Sequence, residues 1–221
     1  MTEPLDPWGM AWVHQVYRRE LRLLANLIAA AEPGDHARAA LVAEHLTDMA
    51  DSLHEHHVGE DELLWPPLLS RAEPDAAAVS RMQQQHDELH VLLEEVGALA
   101  PVWRESASQA DRDRLASVAA RLSVVTDAHL ADEEQHVLPL IREHITAEEW
   151  AEFERRGHAS IPQEKALVFL GIGLQDATPH EREKFVGGLP PEVADFWAGP
   201  GGLQYAQWRA ELLGGAPVAQ P

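Results

Sequence analysis

His14, His56-x-x-x-Glu60, His86-x-x-x-His90 and His129-x-x-x-Glu133 recur through the N-terminal part of the chain at one-turn helical spacing. Residues four apart project from adjacent turns of one helix face, so each pair is a two-toothed claw. Burying so many imidazoles and carboxylates is costly unless a cation offsets them, and a pair of metal ions is the simplest cation set. Imidazole and carboxylate together suit iron, zinc or manganese, while the absence of cysteine removes thiolate ligands, disulfides and a cysteine nucleophile. The stretch His54-Glu55-His56-His57-Val58 is not a zinc-protease His-Glu-x-x-His, because Val58 stands where the second His belongs. A lone His14, or the His86/His90 pair by itself, is more often ordinary surface or core. It is the joint pattern that points to metal. His36, His45, His54, His57, His136, His144, His158 and His180 are read as ordinary histidines.

Four long helices must carry these claws, because helical periodicity dominates and alternating β-branched runs are missing. The first spans about residues 10–31 and stops at Glu32-Pro33-Gly34-Asp35. Asp35 is placed to cap the second, which ends near Trp65-Pro66-Pro67. Glu73-Pro74-Asp75 is the next break; a third helix covers about 75–104 with a kink expected at Pro101. After a polar link at 106–109 a fourth runs over about 111–143, with a bend expected at Pro139. The class is all-α, an up-down-up-down four-helix bundle with a C-terminal extension of short helices. Counted from the turns at ~1.5 Å per residue, the four ligand sets fall at the same height to within about one helical turn.

An internal echo supports the register. Pro66 follows Glu60, and Pro139 follows Glu133, by the same interval, and each Glu has an acidic neighbour, Asp61 or Glu134. The alternative pair His57-x-x-x-Asp61 has no counterpart in the other half, so His56 and Glu60 are preferred. Adjacent helical residues point about 100° apart, so only one of His56 and His57 is expected to face the centre.

The expected organisation is a bundle over residues 1–145, a helical extension packed on it over 146–213, and a disordered tail over 214–221. Thr146-x-x-Glu149 resembles a capping box, and short helices are expected near 163–175, 179–186, 191–197 and 203–213. Their Trp, Phe and Tyr content suggests packing onto the bundle or onto a protein partner. A net charge of -20 argues against nucleic acid and anionic membranes as partners. No apolar run reaches membrane-spanning length, and residues 1–8 lack the marks of a signal peptide, so a cytoplasmic location is expected.

Over about residues 10–145 the sequence resembles the hemerythrin-like (HHE) family, with the bacterial pattern of ligands. The runs His56-His57-Val-Gly-Glu60-Asp61-Glu-Leu-Leu-Trp-Pro66 and His129-Leu-Ala-Asp-Glu133-Glu134-Gln-His-Val-Leu-Pro139 are similar to its two characteristic segments. The resemblance implies a four-helix bundle around two iron ions, an oxo- or hydroxo-bridged non-haem di-iron centre, with manganese or zinc ranking behind iron. It implies that His86, His90 and His129 bind one iron, His14 and His56 the other, and that Glu60 and Glu133 bridge them. Invertebrate oxygen carriers of this type have Asp five residues after the fourth-helix His, whereas Glu133 stands four after His129.

An open position on the His14/His56 iron would admit O2, peroxide or nitric oxide, in oxygen or redox sensing, storage or iron handling. Two other readings remain open. One is a di-iron enzyme with catalase, peroxidase or nitric-oxide-reducing activity. The other is a metal-stapled helical interaction module that uses residues 146–213.

Overall fold

Asp35 accepts a hydrogen bond from the Arg38 backbone N–H and so starts the second helix of the bundle one turn after the first has stopped. The computed structural model describes residues 5–72 and 76–214. Helix α1 (Trp8–Ala30) ends where Ala31 turns extended, and Gly34 takes a left-handed φ of +84° that a side chain would resist. Helix α2 (His36–Leu63) returns antiparallel to it, and α3 (Trp65–Arg71) follows after a one-residue break. Helix α4 (Ala76–Ser106) continues unbroken through Pro101, and α5 (Gln109–His136) and α6 (Leu138–His144) complete the bundle. The expected break at Glu73-Pro74-Asp75 lies outside the described residues.

Each long helix packs on two neighbours, in the order α1, α2, α4, α5 and back to α1. The Gly34 N–H donates to the Ala107 carbonyl at 2.8 Å, and Arg112 donates to the Ala31 carbonyl at 2.7 Å. These bonds tie the α1–α2 and α4–α5 turns together at one end, as an up-down-up-down bundle requires.

The two halves repeat at their far ends. At Leu64 and Val137 the backbone kinks with nearly equal angles (φ -104°, ψ -43° and φ -105°, ψ -39°), and each N–H still bonds back to the carbonyl of the inward Glu, Glu60 or Glu133. Pro66 and Pro139 sit in the first turn of the short helices that follow, where a missing N–H costs nothing. The single bent fourth helix expected at 111–143 is therefore two helices, broken at Val137, two residues before the proline.

Apolar layers fill the bundle on both sides of a polar belt. On the turn side lie Leu21, Leu24, Ile28, Leu46, Met49, Leu53, Leu89, Val96, Leu115 and Leu122. On the other side Met10, Leu64, Trp65, Leu68, Val79, Met82, Val137 and Ile141 form a second cluster. Each fully buried aliphatic side chain contributes roughly 1.5–3 kcal/mol, and between them these layers hold the four helices in register around the belt.

Helix α7 (Ala147–Ser160) begins with the expected capping box: the Thr146 N–H donates to Glu149 at 2.9 Å, and the Glu149 N–H to Thr146 Oγ1 at 3.3 Å. It belongs to the same compact unit as the bundle, residues 1–160. Arg71 grips Glu149 with both guanidinium nitrogens at 2.7 and 2.8 Å, and Arg156 pairs with Glu62.

Among the described residues, 161–214 form a second unit. A 3-10 turn at Gln163–Lys165 leads into α8 (Ala166–Leu174), followed by α9 (Pro179–Gly187), α10 (Pro191–Phe196) and α11 (Gly202–Leu213), close to the helices expected there. Its aromatic residues pack on one another: Tyr205 lies between Trp197 and Trp208 at centroid distances of 5.8 Å. A Cβ at Gly171 would fall 2.1 Å from the Tyr205 ring, so only glycine lets α8 and α11 meet. Of the expected disordered tail, Gly214 is the left-handed cap of α11, and 215–221 lie outside the described residues. Among the described residues no helix is long and apolar enough to cross a membrane.

Candidate metal centre

The polar belt of the bundle is built from all four long helices: His14 on α1; His56, His57 and Glu60 on α2; His86 on α4; His129 and Glu133 on α5. All are buried except His56, whose side chain is still only 8% exposed, and His14, Glu60 and Glu133 are fully buried. Their ligand atoms form two groups, each within 4.8 Å: His57, Glu60, His86 and His129, and His14, His56, Glu60 and Glu133.

Glu60 joins the two groups. Its Oε1 lies 3.0 Å from His56 Nε2 and its Oε2 lies 3.3 Å from His86 Nε2. Glu133 Oε2 likewise stands between the groups, 3.5 Å from His14 Nε2 and 3.8 Å from His129 Nε2. The His14 and His56 Nε2 atoms are 3.2 Å apart. Two donors on one first-row ion, each at ~2.1 Å, are separated by about 3 Å, so these spacings suit shared cations.

Six of the seven side chains expected from the sequence meet here: His14, His56, Glu60, His86, His129 and Glu133. His90 does not. Its side chain is 52% exposed and lies 3.5 Å from Glu94, one turn along α4. In its place stands His57, stacked on His86 with ring centroids 4.2 Å apart and planes inclined by 17°. Both members of the His56-His57 dipeptide thus reach the belt. The expectation that only one could do so assumed a single point target, whereas the belt has two groups and α2 passes between them.

The imidazoles are aimed from behind. His14 Nδ1–H donates to Glu134 Oε1 at 3.0 Å, and Arg18 holds that carboxylate at 2.7 Å. His86 Nδ1–H donates to Asp61 Oδ1 at 3.0 Å. His129 Nδ1–H donates to Gln85 Oε1 at 2.9 Å; Gln85 in turn donates to Asp132, which Arg81 clamps at 2.7 and 2.9 Å. At His14 and His129 the outer partner accepts from Nδ1–H and leaves the Nε2 lone pair facing inward, the arrangement that orients a metal-binding histidine; at His86 the same contact fixes the ring with Nε2 toward Glu60. The acidic neighbours Asp61 and Glu134, noted in the sequence only as an echo, serve imidazoles on facing helices.

Those inward atoms are left without hydrogen-bond partners. His57 Nε2, His86 Nε2, His129 Nε2 and both carboxylate oxygens of Glu60 and of Glu133 are buried and unsatisfied. So many unpaired polar atoms facing one another would be costly in a bundle core. A cation is the partner that satisfies lone pairs on both imidazoles and carboxylates, and the donor set fits one.

Electrostatics point the same way. Burial pushes Glu133 well above the usual carboxylate range, and the facing Glu60 charge adds to it. Burial also pushes Glu60 up, but the His56 and His86 imidazoles outweigh it and hold this carboxyl well below its usual value. Burial lowers His14, lowers His57 far further with help from His86, and takes His129 down to about 3. These three are neutral at neutral pH, the form that binds a metal. At His86 burial is outweighed by Asp61 and Glu60, and its pKa rises to about 9.

One side of the belt is walled by rings. Tyr17 packs 5.5 Å and Phe153 of α7 5.9 Å from the His56 ring, between centroids. Tyr17 is held by a hydrogen bond from its hydroxyl to the Ser52 carbonyl at 3.0 Å. Gly59 lets α7 close in, since a Cβ there would lie 3.2 Å from the Phe153 ring.

No curated protein and no solved structure matches the chain. The family model described as the hemerythrin HHE cation binding domain matches residues 13–141, the span that contains every belt residue and both Pro66 and Pro139. With more than half of its length matched, this chain belongs to the hemerythrin HHE cation-binding family.

Proposed function

We propose that the belt holds two iron ions and that the protein binds O2, or a related small ligand such as peroxide or nitric oxide, at one of them. His57, His86 and His129 would hold one ion, His14 and His56 the other, with Glu60 and Glu133 shared between them. Iron would supply redox chemistry and an exchangeable coordination position; the protein supplies the ligands, their orientation and the walls.

The observation that carries this reading is the set of unsatisfied Nε2 and carboxylate oxygen atoms that face one another from α2, α4 and α5, with His14 of α1 and His56 completing the donor set. The imidazoles are divided three to two, so the His14/His56 side has fewer protein donors and room for an added ligand. That side is bounded by Tyr17 and Phe153, apolar faces that favour a small, weakly hydrated ligand over a large charged one. The Glu134 and Asp61 carboxylates stand behind His14 and His86 and strengthen them as donors.

The test is metal analysis of protein purified without added metal, with optical spectra in both redox states. Close to two iron per chain is expected, together with a visible band that appears with O2 or peroxide. Glu60→Ala or Glu133→Ala should lower the occupancy of both positions together, since each carboxylate is shared. One metal per chain, unaffected by either substitution, would overturn the two-metal reading. Two irons with no spectral response to O2, peroxide or nitric oxide would overturn the small-ligand reading.

A further inference from the structure

His90, left outside the buried belt, is not isolated. Its ring stacks on His54 of α2 at a centroid distance of 5.2 Å and an interplanar angle of 28°, and Glu94 lies 3.5 Å from its Nε2. His54 precedes His57 by one turn of α2, and His90 follows His86 by one turn of α4. Because these helices run antiparallel, the His54/His90 stack sits directly along the seam from the buried His57/His86 stack. The seam therefore carries two stacked imidazole pairs in succession, one partly exposed and one buried.

We propose that His54, His90 and Glu94 form a surface site for a borderline divalent cation such as Fe2+ or Zn2+, and that this site is the outer station from which the buried belt is filled. Two imidazoles from adjacent helices plus a carboxylate one turn along supply three donors of the type such ions prefer. Exposed side chains (52% for His90, 69% for Glu94) can turn onto an arriving hydrated ion, and the chain's net charge of -20 draws cations toward it. One helical turn, about 5 Å, separates this site from His57 and His86, so an ion can shift between stacks without leaving imidazole. The station role rests on metal occupancy of the belt as proposed above, whereas the surface site itself does not.

The experiment uses the full chain stripped with a chelator, titrated with Zn2+, and separately timed for anaerobic Fe2+ uptake. Wild type should bind Zn2+ in two classes, tight and weaker. In His54→Ala/His90→Ala the weaker class should lose at least the roughly tenfold in affinity that even an outer partner of a metal site is worth. Fe2+ uptake should slow by a similar factor while reaching the same final content. Glu94→Gln and His90→Gln, made singly on an exposed face, should give smaller losses in the same direction, with helical circular dichroism unchanged. A weaker class untouched by the double variant would overturn the surface site. Its loss with an unchanged uptake rate would overturn the station role. Glu60→Ala/Glu133→Ala separates the two readings, since it should abolish the tight class and spare the weaker one. A wild type that shows only the weaker class would count against the buried centre and leave the surface site standing.

Discussion

His56 and His57 are consecutive in the chain and face different halves of the same polar belt. His56 Nε2 is 3.2 Å from His14 Nε2, while His57 lies flat against His86, 4.2 Å between centroids. One turn on, the two oxygens of Glu60 divide in the same way, toward His56 and toward His86. A single turn of α2 thus contributes to both groups of inward-facing donor atoms, and the remaining helices supply the others.

The exchange of His57 for His90 gives the first prediction. His57→Ala should lower metal retention by at least about tenfold, in the range seen when a supporting group of a metal site is removed, and should do so mainly at one of the two positions. His90→Ala should leave the final buried metal content unchanged. Metal content after dialysis against a weak chelator measures both.

Asp61→Asn and Glu134→Gln probe the carboxylates behind His86 and His14. Each keeps the shape and a hydrogen-bond acceptor but removes the charge, so metal affinity should fall by about 10–100-fold with the bundle intact. Competition with a chelator of known affinity would read this, and equal affinity in both variants and wild type would show that the carboxylates only pack.

Stability of the metal-free protein should peak near neutral pH. His14, His57 and His129 have folded pKa values below 6.5, so the unfolded chain takes up more protons than the folded one as pH falls through 6.5, and stability drops. His86, raised to about 9, and Glu133, raised well above its usual value, act oppositely: their contribution is present at low pH and is lost as pH rises through their folded values. The three lowered imidazoles outnumber these two groups, so the acid side should be the steeper. Thermal midpoints of chelated protein between pH 5 and pH 10 check this; a midpoint rising steadily toward pH 5 would contradict it.

Phe153→Ala removes the ring that α7 lays over His56. Loss of a largely buried Phe costs about 3 kcal/mol, and the loaded protein should bind azide faster while keeping its metal. Stopped-flow azide binding decides the matter: a rate equal to wild type in a folded, loaded variant would reduce α7 to a structural brace.

Much of this was legible in the sequence because it rests on local rules. Asp35 and Thr146 mark helix starts by their capping chemistry, and the Pro66 and Pro139 echo marks two matching breaks. Placing the claws at one height found six of the seven belt residues. The rest depended on tertiary geometry. The same four-residue spacing brings both partners to the belt in His56/Glu60 and His129/Glu133 but not in His86/His90, where His90 lies a turn further along α4 against His54 and Glu94. The pair His57/Asp61 has no counterpart in the other half, which argues in sequence for His56 alone; in the fold Asp61 reaches the outer nitrogen of His86 while His57 stacks on that ring. Nor did spacing show that the aromatic content after residue 146 is divided, with Trp150 and Phe153 packed on the bundle and Tyr205, Trp197 and Trp208 on one another.

The chain contains no cysteine, and its belt joins residues very far apart in sequence, His14 meeting Glu134 across 120 positions. Metal ions held by donors from four helices would act there as covalent-like staples, each closing several long loops that an unfolded chain would otherwise leave free. A belt that is costly to bury when empty and would cross-link the whole bundle when filled would tie the stability of the fold to metal loading. Cellular metal supply would then set how much of this protein survives proteolysis, as well as how much of it works.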